Sequence, residues 1–234
     1  MSISNTSIVK DGLWSNNPAL VQLLGLCPLM AVSTSVATSF GLGLTTLLVL
    51  TCSNLVISCL RKLFDEETRL PVQILIIASF VTLADLALQF WFFELHQRIG
   101  LFVALIVTNC TLLGRAEAFA SRNPIGAATL DGFMMGTGFL LVLIIMGGVR
   151  ELIGQGTLFA GLDTLTGLPD ITVTVSDSGF LLMMMPPGAF ITLGCLIALK
   201  NALSQSASQN SSQQSSTLAS QDPQTTQPRN AEKL

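Results

Sequence analysis

Two cysteines in this 234-residue chain sit where a thiol calls for a chemical reason. Cys27 lies in LGLCPLM, residues 24–30, and Cys110 in IVTNCTLLGRAEAF, residues 106–119. Each is embedded in apolar sequence at a point where a helix is expected to be interrupted. Pro28 removes a backbone donor beside Cys27, while TNC gathers small polar residues at Cys110 and Gly114 follows. Amide groups freed from helical pairing stabilise a thiolate, the form that ligates metals and reacts. A shared metal or redox site is one reading of the pair, and a disulfide between them is the competing chemistry. Most buried cysteines are simply small hydrophobes. Cys52, Cys59 and Cys195, within ordinary helical runs, fit that description. The single His96 weighs against a histidine-rich metal site, and five cysteines in a chain this long do not make a secreted disulfide framework.

The elements that must position these thiols belong to a membrane protein. Hydrophobic residues make up 50% of the chain and charged residues 11%, with a mean hydropathy of +0.65. Soluble domains carry about 25% charged residues, so this chain lacks the charge to cover a water-facing surface. A net charge of −3 gives no basic footprint and excludes a nucleic-acid partner. SVATS and LGLC imitate processing signals only loosely. Leu26 stands where a small residue precedes a lipoprotein cysteine, so no cleavage is expected.

A membrane helix needs roughly 17–25 mostly apolar residues. On that measure the chain offers six spans, near residues 18–38, 41–60, 71–93, 97–115, 129–149 and 178–200. The expected organisation is a cytoplasmic N-terminal segment (1–17), a six-span membrane domain (18–200) and a disordered Ser/Gln-rich cytoplasmic tail (201–234). Placing the N-terminus inside puts Lys10, Arg61, Lys62, Arg69, Arg115, Arg122 and Lys200 in the cytoplasm. Only Arg98 and Arg150 then fall outside, where Glu151, Asp163, Asp170 and Asp177 crowd the loop 150–177. Positively charged loops stay in the cytoplasm, so both termini are expected there.

The first and fourth spans each carry one cysteine and a helix interruption, and an odd number of spans separates them. They therefore enter the membrane from opposite sides. That is the layout of a 3+3 inverted repeat, with interrupted first and fourth helices meeting near the midplane. The fold expected is an all-α integral membrane protein.

Four stretches carry a resemblance: NNPALVQLLGLCPLMAVS, VTNCTLLGRAEAFA, LDGFMMG and RELIGQGTLF. Together, from about Leu13 to Lys200, they resemble the E subunit of the bacterial Rnf (Rsx) electron-transport complex. The D subunit of the sodium-translocating NADH:quinone reductase is kin, sharing the NC and GRAEAF pattern. The resemblance implies a component of an ion-translocating oxidoreductase in the bacterial inner membrane, acting within a translocase without binding NADH or flavin itself. It implies a 2Fe–2S cluster within the membrane, for which Cys27 and Cys110 supply two thiolates. The other two would come from a homologous partner, the A subunit of that complex, inserted in the opposite orientation. The B, C, D and G subunits and membrane lipid complete the expected partners, and sodium or proton movement the expected coupling. A stand-alone secondary transporter with inverted repeats and a structural scaffold with inert cysteines are the rival functions.

Among the charged residues, Asp85 lies inside the third span, where an ionisable group marks an ion path or a hydrogen-bonded helix contact. Arg115 and Glu117, two apart, are expected to face different directions and to anchor a helix end or contact a partner. Asp131 reads as a helix cap or first-turn acid. Met183 to Met185 before Pro186 and Pro187 read as packing and a kink, and GLG (41–43) and GTG (136–138) as close-packing glycines.

Overall fold

The computed structural model describes residues 9, 12–13, 16–63, 68–158, 173–174 and 181–219. Helices dominate: α1 (Leu26–Val32), α2 (Val36–Leu60), α3 (Arg69–Trp91), α4 (Phe93–Ala104), α5 (Cys110–Arg115), α6 (Ile125–Gly154), α7 (Leu181–Met184) and α8 (Pro186–Ala219). A π-helical turn, Ala116–Ala120, continues α5. Among the described residues one antiparallel strand pair, β1 (Thr157–Leu158) with β2 (Val173–Thr174), departs from the all-α expectation. Two residues per strand suffice to close the two ends of the loop on each other. Asp163, Asp170 and Asp177, expected in that loop, lie outside the described residues.

Among the described residues, four helices are long and apolar enough to cross a membrane: α2, α3, α6 and residues 186–203 of α8. They answer to the second, third, fifth and sixth expected spans. The first and fourth expected spans are not continuous helices. Residues 18–25 form turns, α1 follows, and Ser33–Ser35 separate it from α2, whose start at Val36 falls inside the first expected span. The fourth divides into α4, turns at 105–108, Asn109 and α5.

Pro28 does not sit inside a broken helix. It occupies the first turn of α1, where amides have no intrahelical acceptor and a missing N–H costs nothing. The break instead precedes Cys27, at Leu23 (φ 54°) and Gly25 (φ 73°). The expected kink near Pro186 is present as the separation of α7 from α8 at Met185.

Helices α2 and α6 form the centre and pack most extensively of any pair. They run antiparallel: Gly147 lies against Ser39, Gly136 against Leu47, and Gly132 against Asn54. At one end Ser58 Oγ donates to the carbonyl of Asn123 at 2.8 Å. At the other, the Val36 amide donates to Glu151 Oε2 at 2.7 Å. Small residues let two helical backbones approach closely, the packing mode that membranes favour. Two threonines of α2 are satisfied within their own helix, Thr45 donating to Gly41 O and Thr46 to Leu42 O, each at 2.8 Å. α1, α3, α4, α7 and the π-helical turn pack against this pair, giving a core that includes Leu42, Leu50, Ile57, Ile77, Ile99 and Leu112. The outer face of α3 stays apolar and exposed at Leu75, Leu83, Leu86, Phe90 and Trp91, as a lipid-facing helix requires.

The chain divides into two units, residues 1–193 and 194–234. Within the first, two described residues of the polar N-terminal segment touch α6. Gly12 lies against Met134 and Gly138, and Asn17 Nδ2 donates to Gly138 O at 3.2 Å. In the second, α8 stays helical to Ala219, past the boundary expected at residue 200, although its apolar part ends at Leu203.

Candidate functional site

The two cysteines stand in equivalent places, Cys27 second in α1 and Cys110 first in α5. Each therefore lies in a first turn, the electropositive end of a helix, where backbone amides lack intrahelical acceptors. In α5 the Asn109 side chain caps the turn, its Oδ1 accepting from the Thr111 amide at 2.9 Å. In α1 the cap position is Gly25, whose carbonyl accepts the first helical bond from Leu29 at 3.3 Å.

The two interruptions meet. A Cβ placed on Gly25 would lie 2.7 Å from Thr111 Oγ1, 2.9 Å from the Phe139 ring and 3.0 Å from Asn109 Oδ1. Asn109 and Thr111 flank Cys110, and Gly25 is two residues from Cys27. Leu24 packs beside Gly114. The 30-residue α6 runs from Ile125 to Gly154, so Phe139, beneath the crossing, stands at its middle. Gly25 serves twice: its left-handed backbone suits glycine, and only a residue without Cβ leaves room for the crossing.

Both thiols are free and exposed on this chain, and so are those of Cys52, Cys59 and Cys195. The disulfide weighed for Cys27 and Cys110 is not formed. Cys52 and Cys59 lie in the regular helix α2 and Cys195 in α8. Among the described residues no three His, Cys, Asp or Glu side chains gather as a metal site. Two exposed thiols on touching segments nevertheless suit a sulfur-ligated group with an open side, completed from outside the chain.

The charged residues pair in ways local sequence did not indicate. Asp131 is neither cap nor first-turn acid. It lies six residues into α6, 2% exposed, because α6 starts at Ile125 and not near 129. Its carboxylate takes both Nε (2.9 Å) and Nη2 of Arg115, whose guanidinium also stands over the Phe119 ring at 5.1 Å. Glu117 does face another way, accepting from Arg69 Nε at 2.9 Å and Gln73 Nε2 at 3.2 Å. Asp85 is held by His96, Oδ1 to Nε2 at 3.0 Å, a contact between α3 and α4.

Arg150 and Glu151, expected in the outer loop, are inside α6 and among the most buried residues, at 1% and 0% exposure. Arg150 donates to the carbonyls of Met30, Met183 and Met184 and to Ser33 Oγ. Their signal was RE directly after an apolar run, which hydropathy reads as its end.

A family model described as Rnf-Nqr subunit, membrane protein, matches residues 5–197. The chain is 54% identical over 199 residues to the E subunit of the ion-translocating oxidoreductase complex of Pseudoalteromonas atlantica, covering 83% of this chain and 86% of that one. Against the E subunit of the same complex from Vibrio parahaemolyticus it is 52% identical, covering 86% and 90%. Against that of Pseudomonas paraeruginosa it is 52% identical, covering 85% of each. With the family model covering most of its length, this chain belongs to the Rnf-Nqr family of membrane subunits.

Proposed function

We propose that this chain is a six-span component of an ion-translocating oxidoreductase complex that relays electrons through a membrane-embedded 2Fe–2S cluster shared with a homologous subunit. The observation that carries the reading is the crossing at Gly25, which joins two cysteine-bearing interruptions halfway along α6 with both thiols exposed. Such clusters take four thiolates. Cys27 and Cys110 would hold one side, and the complex's homologous A subunit, inverted in the membrane, the other. Bound there, the cluster supplies one-electron transfer without proton chemistry at its ligands.

The chain's own residues have definable tasks. The first turns of α1 and α5 present the two thiols, the Asn109 cap fixes the start of α5, and the apolar core around Phe139 and Leu112 keeps water from the crossing. The inverted 3+3 arrangement is supported by the antiparallel pair α2 and α6. If α2, α3 and α6 each cross the membrane, residues 92–124 must cross too, or α2 and α6 would run parallel. The names borne by the relatives support membership of a complex that moves ions, and the resemblance implies sodium or protons as the coupled species. The charge bias supports an orientation with both termini cytoplasmic, in the bacterial inner membrane that the resemblance implies. Asp85, bonded to His96, stands in this reading as a helix contact or as part of an ion path.

The test is iron content and an electron paramagnetic resonance spectrum after reduction, for the assembled complex and its variants. Cys27→Ser and Cys110→Ser should each abolish the signal, while Cys52→Ser leaves it intact. A signal that survives either of the first two would refute the ligand assignment. A stand-alone transporter would move its substrate without iron.

A further inference from the structure

The ligation proposed above makes no use of the Arg115–Asp131 pair, yet the pair is built onto the helix that carries Cys110. α5 has six residues, is separated from α4 by a break, and ends at Arg115. Five residues along a helix correspond to about 7–8 Å of rise. Gly114, next to Arg115 in the chain, packs on Leu24, three residues before Cys27. The Arg115 side chain is 15% exposed and that of Asp131 3%, in a region where charges act over longer distances than in water. Two hydrogen bonds from Arg115 to the two oxygens of Asp131 fix the charges against each other. Other pairs are poorer candidates for acting at the half-site: Glu117 with Arg69 is 32% and 21% exposed, and Asp85 beside His96 is 40% exposed.

We infer that the Arg115–Asp131 pair keeps two opposite charges in balance beside the half-site, and that this balance governs how readily an electron is taken there. The inference rests on the electron-relay function proposed above. Taking one electron adds one negative charge to the site, with no bond formed or broken. The guanidinium favours that charge and the carboxylate opposes it, so the intact pair nearly cancels. Removing either member uncovers the other.

Redox titration of the assembled complex, with dithionite as electron donor and paramagnetic resonance as readout, tests this. Asp131→Asn leaves Arg115 uncompensated and should raise the midpoint potential. Arg115→Gln leaves the carboxylate and should lower it. The double variant should return close to the parent. A merely structural role predicts lost iron with the remaining signal at an unchanged potential, or shifts of one sign, and either result overturns the inference. One single variant that assembles is sufficient, since each carries its own predicted sign. If neither assembles, the exchanged pair (Arg115→Asp with Asp131→Arg) buries no unpaired charge and puts the negative end on the Cys110 helix. A lowered potential then supports the inference and an unchanged one overturns it. Absence of iron from the parent complex would instead overturn the relay function itself, so the two failures are distinguishable.

Discussion

The carboxylate of Glu151, near the end of α6, accepts a 2.7 Å hydrogen bond from the amide of Val36, the first residue of α2. Its neighbour Arg150 donates to the Met30 carbonyl in α1 and to the Met183 and Met184 carbonyls in α7. One dipeptide thus serves the starts and ends of three other helices. In hydrocarbon the orphan groups at a helix end cannot turn to water, so a protein side chain must meet them. Arg150 and Glu151 are buried because that is where those ends converge.

Arg150→Met should therefore destabilise the chain by about 1–3 kcal/mol for each buried carbonyl left without a donor. Glu151→Gln, which keeps an acceptor oxygen, should cost less than Glu151→Ala. Thermal unfolding of the purified complex in detergent measures both. A midpoint for Arg150→Met equal to that of the parent would show the guanidinium to be dispensable.

Gly25 and Gly114 separate the two requirements of the crossing. Gly25→Ala forces a side chain into the left-handed region, at about 1–2 kcal/mol, and into contact with Thr111, Asn109 and Phe139. At Gly114 the nearest foreign atom, Leu24 Cδ1, is an ordinary 3.6 Å from an added Cβ. Iron content should fall severalfold in Gly25→Ala and stay near the parent value in Gly114→Ala. Equal iron in the two variants would contradict the geometry.

The exposed thiols of Cys27 and Cys110 should react with a small maleimide in the isolated, detergent-solubilised chain and be protected in the assembled complex. Mass mapping of labelled cysteines reads the difference. Equal labelling of Cys110 in both states would mean that nothing covers the half-site.

Antiparallel α2 and α6 make a topological prediction. Reporter fusions after Lys62 and after Asn123 should report the same membrane side, since Ser58 bonds the Asn123 carbonyl. A fusion after Glu94 should report the other, since Leu95 packs on Gly41 near the opposite end of α2. Agreement of all three would leave α4 and α5 without a crossing.

Four of the six expected spans appear as long apolar helices, because span length and apolarity are local properties that composition displays directly. The sequence also marked where the other two would be interrupted, since proline, glycine and small polar residues act on the backbone beside them. It misjudged how: Pro28 starts a helix instead of breaking one, because its cost depends on whether its N–H would have had an acceptor. Cys27 and Cys110 were legible as unusual from their neighbours and, through the motifs around them, as the half ligand set proposed above. Only the tertiary structure brought Gly25 against Asn109 and Thr111, paired Asp131 with Arg115, and buried Arg150 and Glu151. Those contacts join residues 16 to 120 positions apart. A charge in an apolar run announces that it needs a partner, but the identity of the partner is set by which helices pack side by side and in which direction, and no local pattern encodes that.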